Sequence, residues 1–180
     1  SSPYYFARAG FKKLGLDDKQ VGLATTGGTS NSFAALTSNQ VAGGVLGPPF
    51  DERAVSLGYK KFLFLGDLAD IPYVGLFTSQ AEIHAHRERV RKTIAAVMDA
   101  IAWQRANRGE AVKMIAERYK ISPSEAERSY ETMIGILSSD GRMDHKKVRG
   151  YLTLLREERP VSETLDAERL VDFSMLPSAR

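Results

Sequence analysis

The first 65 residues alternate between short apolar runs and amphipathic helical patterns, and this alternation constrains the fold more than any other feature. Strand patterns, which are apolar runs bounded by turn-forming residues, occupy 20–25, 44–46 and 61–65. Helical patterns occupy 2–14, 29–38 and 49–57. Because strands and helices alternate with short connections, we predict an α/β fold with a parallel or mixed sheet covered by helices.

The second half of the chain is predicted to be helical. One further strand is predicted over 73–78, and two capping boxes then mark helix starts at Ser79–Glu82 and Ser122–Glu125. Asp144 is predicted to cap a third helix. Apolar residues recur at helical spacing in this half, which predicts buried faces. In the first helix of the chain, the same spacing predicts that Ala7, Phe11 and Leu14 are buried.

Composition narrows the class of protein. The 180 residues are 43% hydrophobic and 26% charged, which is typical of a soluble globular protein. The net charge of +3 is mild, so we expect no nucleic acid partner. The chain has no cysteine, which excludes disulfides and thiolate chemistry, and it has no apolar run of the roughly 18 residues that a membrane helix needs.

Catalytic motifs are weak. His84 and His86 lie two residues apart, which on a helix points them in different directions, and His145 follows a predicted cap. A G-x-S-x-G nucleophile turn and a phosphate-binding G-x-x-x-x-G-K-[ST] loop are both missing. Asp67 and Asp70 fit either a carboxylate pair or ordinary turn residues. We therefore expect a protein that is not an enzyme and that needs no cofactor or metal.

Hydroxyl-bearing helix starts are the better candidates for a binding site. The run TTGGTSNS places Gly28, Thr29 and Ser30 where a predicted strand leads into a helix, with Thr29 or Ser30 as the cap. Ser1 and Ser2 begin another helix. The free N–H groups at such helix starts favour a small anion. Ordinary N-capping explains each of them equally well, so both interpretations stay open.

The run GGVLGPPFDERA ends a predicted strand at a stiff turn. Pro48 and Pro49 remove two backbone donors directly after Gly47. This turn is either a simple connection or the wall of a binding site. Aromatic residues near these turns suit stacking on a flat ligand, although aromatic residues beside strands are more often part of a core. They are Tyr4, Tyr5, Phe50 and Tyr73.

The order of these motifs resembles a known family. A Gly-Leu-Asp segment precedes a strand, followed by the Gly-Gly-Thr-Ser turn, an Ala-Leu helix, a Gly-Pro-Pro-Phe turn and the runs LGDLADIPY and, at the end, LVDFS. This order is similar to that of the solute-binding proteins of ABC importers for sulfonates, nitrate and thiamine pyrimidine precursors. The resemblance covers essentially the whole chain.

The resemblance implies a type II periplasmic-binding-protein fold, with residues 1–60 in the second α/β lobe and 61–180 completing the first. It implies hinge closure around a small organic solute, an ABC permease as partner, and a periplasmic or lipoprotein location whose signal is not visible in this chain. The implied ligand-facing residues are Ser1, Ser2, Gly28, Thr29, Ser30, Gly47, Pro48 and Pro49.

Two departures from the family pattern affect these expectations. Val41-Ala42-Gly43 replaces the usual Val-Asp-Ala and loses a carboxylate. The N-terminal half of the first lobe has no counterpart, so we expect a fragment whose open sheet edges favour a homo-oligomer. The alternatives are an effector-sensing domain of a regulator and a pyrimidine-precursor synthase, which the absence of cysteine disfavours.

Overall fold

The structure is a computed structural model that describes residues 2–16, 20–67, 72, 74–158 and 160–177. Within these ranges the regular structure consists of α-helices and one short 3-10 helix at Leu65–Asp67. The helices are α1 (Ser2–Lys13), α2 (Thr29–Thr37), α3 (Phe50–Ser56), α4 (Gln80–Ala85), α5 (Arg87–Ala106), α6 (Arg108–Tyr119), α7 (Pro123–Ile136), α8 (His145–Glu158) and α9 (Ala167–Leu170).

The predicted α/β fold of a type II periplasmic-binding protein is wrong for this structure. The described residues of the predicted strands over 20–25, 44–46, 61–65 and 73–78 form no ladder, and no sheet is found among the described residues. A strand persists only when a neighbouring strand satisfies its backbone N–H and C=O groups. The local apolar pattern is present in each segment, but the structure pairs none of them.

The chain divides into two compact units. Unit 1 contains Ser1–Ala69 and Arg108–Gly135, and unit 2 contains Asp70–Asn107 and Ile136–Arg180. The predicted division into residues 1–60 and 61–180 stays a prediction.

In unit 1, α1 packs through a glycine against the chain that follows α3. A Cβ built on Gly10 would lie 3.1 Å from Leu65 Cδ2 and 3.8 Å from Leu63 Cδ1, so the missing side chain allows this close approach. The buried face of α1 differs from the prediction. Phe6 is buried, whereas Leu14 is 51% exposed.

Aromatic rings join the helices of unit 1. The ring of Phe50, at the start of α3, lies 5.5 Å from that of Phe33 in α2 and 6.2 Å from that of Tyr119 in α6. Phe50 is therefore part of the packing between helices, which is the more common of the two roles considered for aromatic residues beside these turns.

In unit 2, α8 supplies the main apolar stripe. Val148, Leu152 and Leu155 are all buried and recur at spacings of four and three residues. Helix α9 packs against α8. Helix α5 differs from the prediction of a buried apolar face, because none of its residues is buried.

Three predicted helix caps, Ser79, Ser122 and Asp144, are confirmed. The Ser79 Oγ accepts the N–H of Glu82 at 3.1 Å, and the Ser122 Oγ accepts the N–H of Glu125 at 3.3 Å. The Asp144 carboxylate accepts the N–H of Lys146 at 2.8 Å. Each cap satisfies a donor that the first turn of a helix leaves without an internal partner.

Candidate functional site

An open cleft of about 600 Å³ lies in unit 1 beside α2. This volume falls within the range of roughly 300–1,000 Å³ that is usual for small-molecule sites. The described residues that line it come from the segment before α2, from one side of α2 and from the turn after it. They are Ala24, Thr25, Thr26, Asn31, Ala34, Ala35, Ser38, Gln40 and Val41.

Side-chain hydrogen bonds fix the turn that forms one end of the cleft. The Thr26 Oγ1 and Ser32 Oγ lie 2.6 Å apart, and the Asn31 Nδ2 donates to the Thr26 carbonyl at 2.8 Å. Gly27 has a φ of +85°, a conformation that side-chain-bearing residues rarely adopt. These contacts hold the chain before α2 against the first turn of the helix.

The start of α2 differs from the prediction that Thr29 or Ser30 caps it. Gly28 is the N-cap residue, and no side chain accepts a capping hydrogen bond there. The first helical hydrogen bond runs from the Ser32 N–H to the Gly28 carbonyl at 2.9 Å. The N–H groups of Thr29, Ser30 and Asn31 therefore have no partner within the helix.

The other end of α2 satisfies its carbonyl groups with its own side chains. The Thr37 Oγ1 donates to the Phe33 carbonyl at 3.0 Å, and the Ser38 Oγ donates to the Ala34 carbonyl at 2.8 Å. The Ser38 hydroxyl hydrogen is thus engaged, although Ser38 is one of the residues that line the cleft.

The Gly-Pro-Pro turn begins α3 and does not contribute to the lining of the cleft. Pro49 is the N-cap residue of α3, and the Phe50 N–H donates to the Gly47 carbonyl at 3.0 Å. The peptide bond between Pro48 and Pro49 is cis. The structure thus shows this turn as a connection that positions Phe50, and a ligand-facing role for Gly47, Pro48 and Pro49 stays a prediction.

The remaining predicted site residues are only partly described. Ser1 lies outside the described residues, and Ser2 is the first residue of α1, with its side chain outside the described part of the structure. Gly28, Thr29 and Ser30 lie beside the cleft residues Thr26 and Asn31 in sequence. Of the predicted residues that the structure describes, only this group is adjacent along the chain to residues that line the cleft.

None of the titratable candidates that the structure describes lines the cleft. His84 lies in α4, His86 is the N-cap residue of α5 without a side-chain capping bond, and the His145 Nδ1 lies 3.5 Å from Glu168 Oε1. Asp67 ends the 3-10 helix, and Asp70 lies outside the described residues. Among the described residues, no group of three or more His, Asp or Glu side chains is arranged to hold a metal ion.

The sequence interpretation missed most residues of the cleft. It singled out the glycine turn but not Thr25, Thr26 and Asn31 around it, nor Ser38 and Gln40 after α2. A signal was present, because hydroxyl and amide side chains flank both ends of the helix that carries Ala34 and Ala35. That signal is also what ordinary helix ends contain, and only the folded turn brings both ends to one cleft.

Comparisons with known proteins place the chain in a family. Residues 2–117, which include the whole cleft, match the NMT1-like family. Searches of curated proteins and of solved structures gave no match. Within the described ranges, no helix has both the length and the apolar character needed to cross a bilayer. The family match is consistent with the resemblance to substrate-binding proteins of ABC transporters. Since the match covers more than half of its length, the chain belongs to the NMT1-like family.

Proposed function

We propose that this protein is the substrate-binding component of an ABC importer and captures a small organic solute at the cleft beside α2. The observation that carries the proposal is that every lining residue lies inside the range matched to the NMT1-like family. A binding role also fits a cleft that offers hydroxyl and amide groups beside aliphatic ones, because such a surface orients a ligand without reacting with it.

The solute classes implied by the resemblance are a sulfonate, a nitrate-like anion and a pyrimidine precursor of thiamine. The N–H groups of Thr29, Ser30 and Asn31, which have no partner within α2, support polar contact at this end of the cleft. An ABC permease is the proposed partner, and the periplasm or cell surface the proposed location. Closure of two lobes around the ligand stays a prediction.

Isothermal titration calorimetry of the 180-residue chain against sulfonates, nitrate and hydroxymethylpyrimidines tests the proposal. We expect saturable binding of at least one solute. Replacing Thr29 and Ser30 together with alanine should weaken an anionic ligand by about 1–3 kcal/mol if both hydroxyls donate to it. Absence of binding by every solute in this set would contradict a transport role.

A further inference from the structure

The lining of the cleft has a consistent chemistry. None of the described residues that line it is ionisable. One part is aliphatic, with three alanines and one valine, and the other carries three hydroxyls and two carboxamides. A ligand seated here would meet hydrogen-bonding groups and apolar surface but no counter-charge from these side chains.

Some polar groups of the lining already form hydrogen bonds within the protein, and others do not. Thr26 pairs with Ser32, and Ser38 bonds to α2. By contrast, the Thr25 hydroxyl and the Gln40 carboxamide have no side-chain partner among the described residues. In Asn31 the amide nitrogen donates to the Thr26 carbonyl, which leaves its oxygen free to accept. The open groups therefore include both donors and acceptors.

Among the described lining residues, a charged ligand would find no side chain of opposite charge. The positive end of the α2 dipole lies nearby, but at an exposed helix start this effect changes the affinity for an anion by at most about fivefold. Removing an anion from water without pairing it costs far more than removing a neutral amide or alcohol. Arg53 of α3, the helix that packs against α2, does not line the cleft, and its Nη1 lies 3.5 Å from the Tyr119 carbonyl and 3.4 Å from that of Lys120.

We propose that the cleft takes an uncharged organic solute that carries both a hydrogen-bond donor and a hydrogen-bond acceptor beside an apolar face. Its donor would meet the Asn31 oxygen, and its acceptor would meet the Thr25 hydroxyl or the Gln40 amide group. Its apolar face would lie against the alanines of α2 and Val41. This inference rests on the proposed function and narrows its solute class.

Matched pairs of compounds separate the effect of charge from that of shape. We would titrate the 180-residue chain with propionamide and propionate, benzamide and benzoate, and methanesulfonamide and methanesulfonate, at low and at high salt. We expect the uncharged member of the preferred pair to bind at least about tenfold more tightly, with little dependence on salt. Equal or tighter binding of the anion, weakened by salt, would overturn the inference.

Two variants locate the binding. Thr25→Val removes an open hydroxyl at nearly constant volume and should weaken the uncharged ligand by about threefold or more. Gln40→Lys places a cation at the cleft and should shift the preference of each pair toward its anion. Thr153→Val is the matched control, because the Thr153 hydroxyl bonds within α8 of unit 2, to the Arg149 carbonyl.

The outcomes separate the two proposals. If a solute binds and its affinity is unchanged by Thr25→Val and by Gln40→Lys, the substrate-binding role stands and the cleft assignment is overturned. If only anions bind, the role stands and the uncharged class is overturned. If no compound in either set binds, the substrate-binding role fails, and the inference fails with it.

Discussion

The Nε of Arg128 in α7 lies 2.6 Å from Oε2 of Glu52 in α3, although the two residues are 76 positions apart in the chain. Glu52 is only 7% exposed, and its other oxygen accepts from Lys61 at 3.0 Å. Through these two ion pairs, the buried carboxylate connects segments of unit 1 that are distant in the sequence.

Replacing Glu52 with glutamine should lower the free energy of unfolding by about 1–3 kcal/mol, because two cations lose a charged acceptor while the shape is kept. Urea denaturation at neutral pH measures this. Glu88→Gln is the control, since Glu88 pairs with Arg91 on an exposed helix surface and such pairs stabilise little. An equal loss in both variants would contradict a special role for the buried carboxylate.

The same residue should make stability depend on pH. Burial by itself raises the pKa of Glu52, but hydrogen bonds and charges from Arg128 and Lys61 outweigh it, so the pKa lies below its ordinary value of 4.5. A lowered folded-state pKa contributes stability above the unfolded-state value, and this contribution is lost as the pH falls through the folded-state value.

We therefore expect the difference in unfolding free energy between the wild-type chain and Glu52→Gln to be full at neutral pH. It should shrink once the pH falls below 4.5. Urea titrations of both proteins across this range give the measurement. A difference that stays constant into the acid range would show that the glutamine acts through packing alone.

Ser122→Ala should destabilise the start of α7 by about 0.5–2 kcal/mol. The Ser122 N–H donates to Glu125 Oε2 at 2.8 Å, and the Ser122 Oγ accepts the Glu125 N–H at 3.3 Å, so the substitution breaks one half of a reciprocal cap. Thr132→Ala is the control, because the exposed Thr132 hydroxyl bonds to the Arg128 carbonyl inside α7, away from the cap. Thermal unfolding by circular dichroism should separate the two, and equal shifts would rule out the cap as the cause.

Two glycines of unit 2 should respond to alanine in opposite directions. Gly141 has a φ of +75°, and a Cβ there would lie 2.5 Å from Leu176 Cδ2 and 3.0 Å from Met98 Sδ. Gly141→Ala should therefore cost about 1–3 kcal/mol through backbone strain and crowding. The size of this loss also measures how closely the turn after α7 packs against Leu176 and Met98.

Gly150 is the matched position in α8. It lies within the helix, and an added Cβ would meet no atom within 4 Å. Gly150→Ala should stabilise by about 0.5–1 kcal/mol, because alanine favours the helix. Denaturant midpoints of both variants, compared with that of the wild-type chain, test the two predictions. A lower midpoint for Gly150→Ala, or an unchanged midpoint for Gly141→Ala, would contradict the surroundings described for these glycines.

Local signals explain which features the sequence predicted. The sequence predicts the caps Ser79, Ser122 and Asp144 because a cap needs only residues three or fewer positions away. It also predicts α1, α2 and α3 within a few residues of their bounds. The strand predictions failed because a strand depends on a distant partner that local apolar patterns do not specify.

The cleft likewise combines features that the sequence predicts with features that only the folded structure shows. Its glycine turn is visible in the sequence, and so is the helix α2 that follows it. The closeness of Thr26 to Ser32, and of both helix ends to one cleft, is not.

The sequence by itself determined the capped starts of α4, α7 and α8, the polar flanks of α2 and the range that identifies the family. Only the tertiary structure decided that the apolar runs stay unpaired, that Phe50 packs between helices, and that uncharged side chains line the cleft. Caps and helical periods are set by neighbours along the chain, whereas pairing, burial and cleft lining are set by residues that only folding brings together.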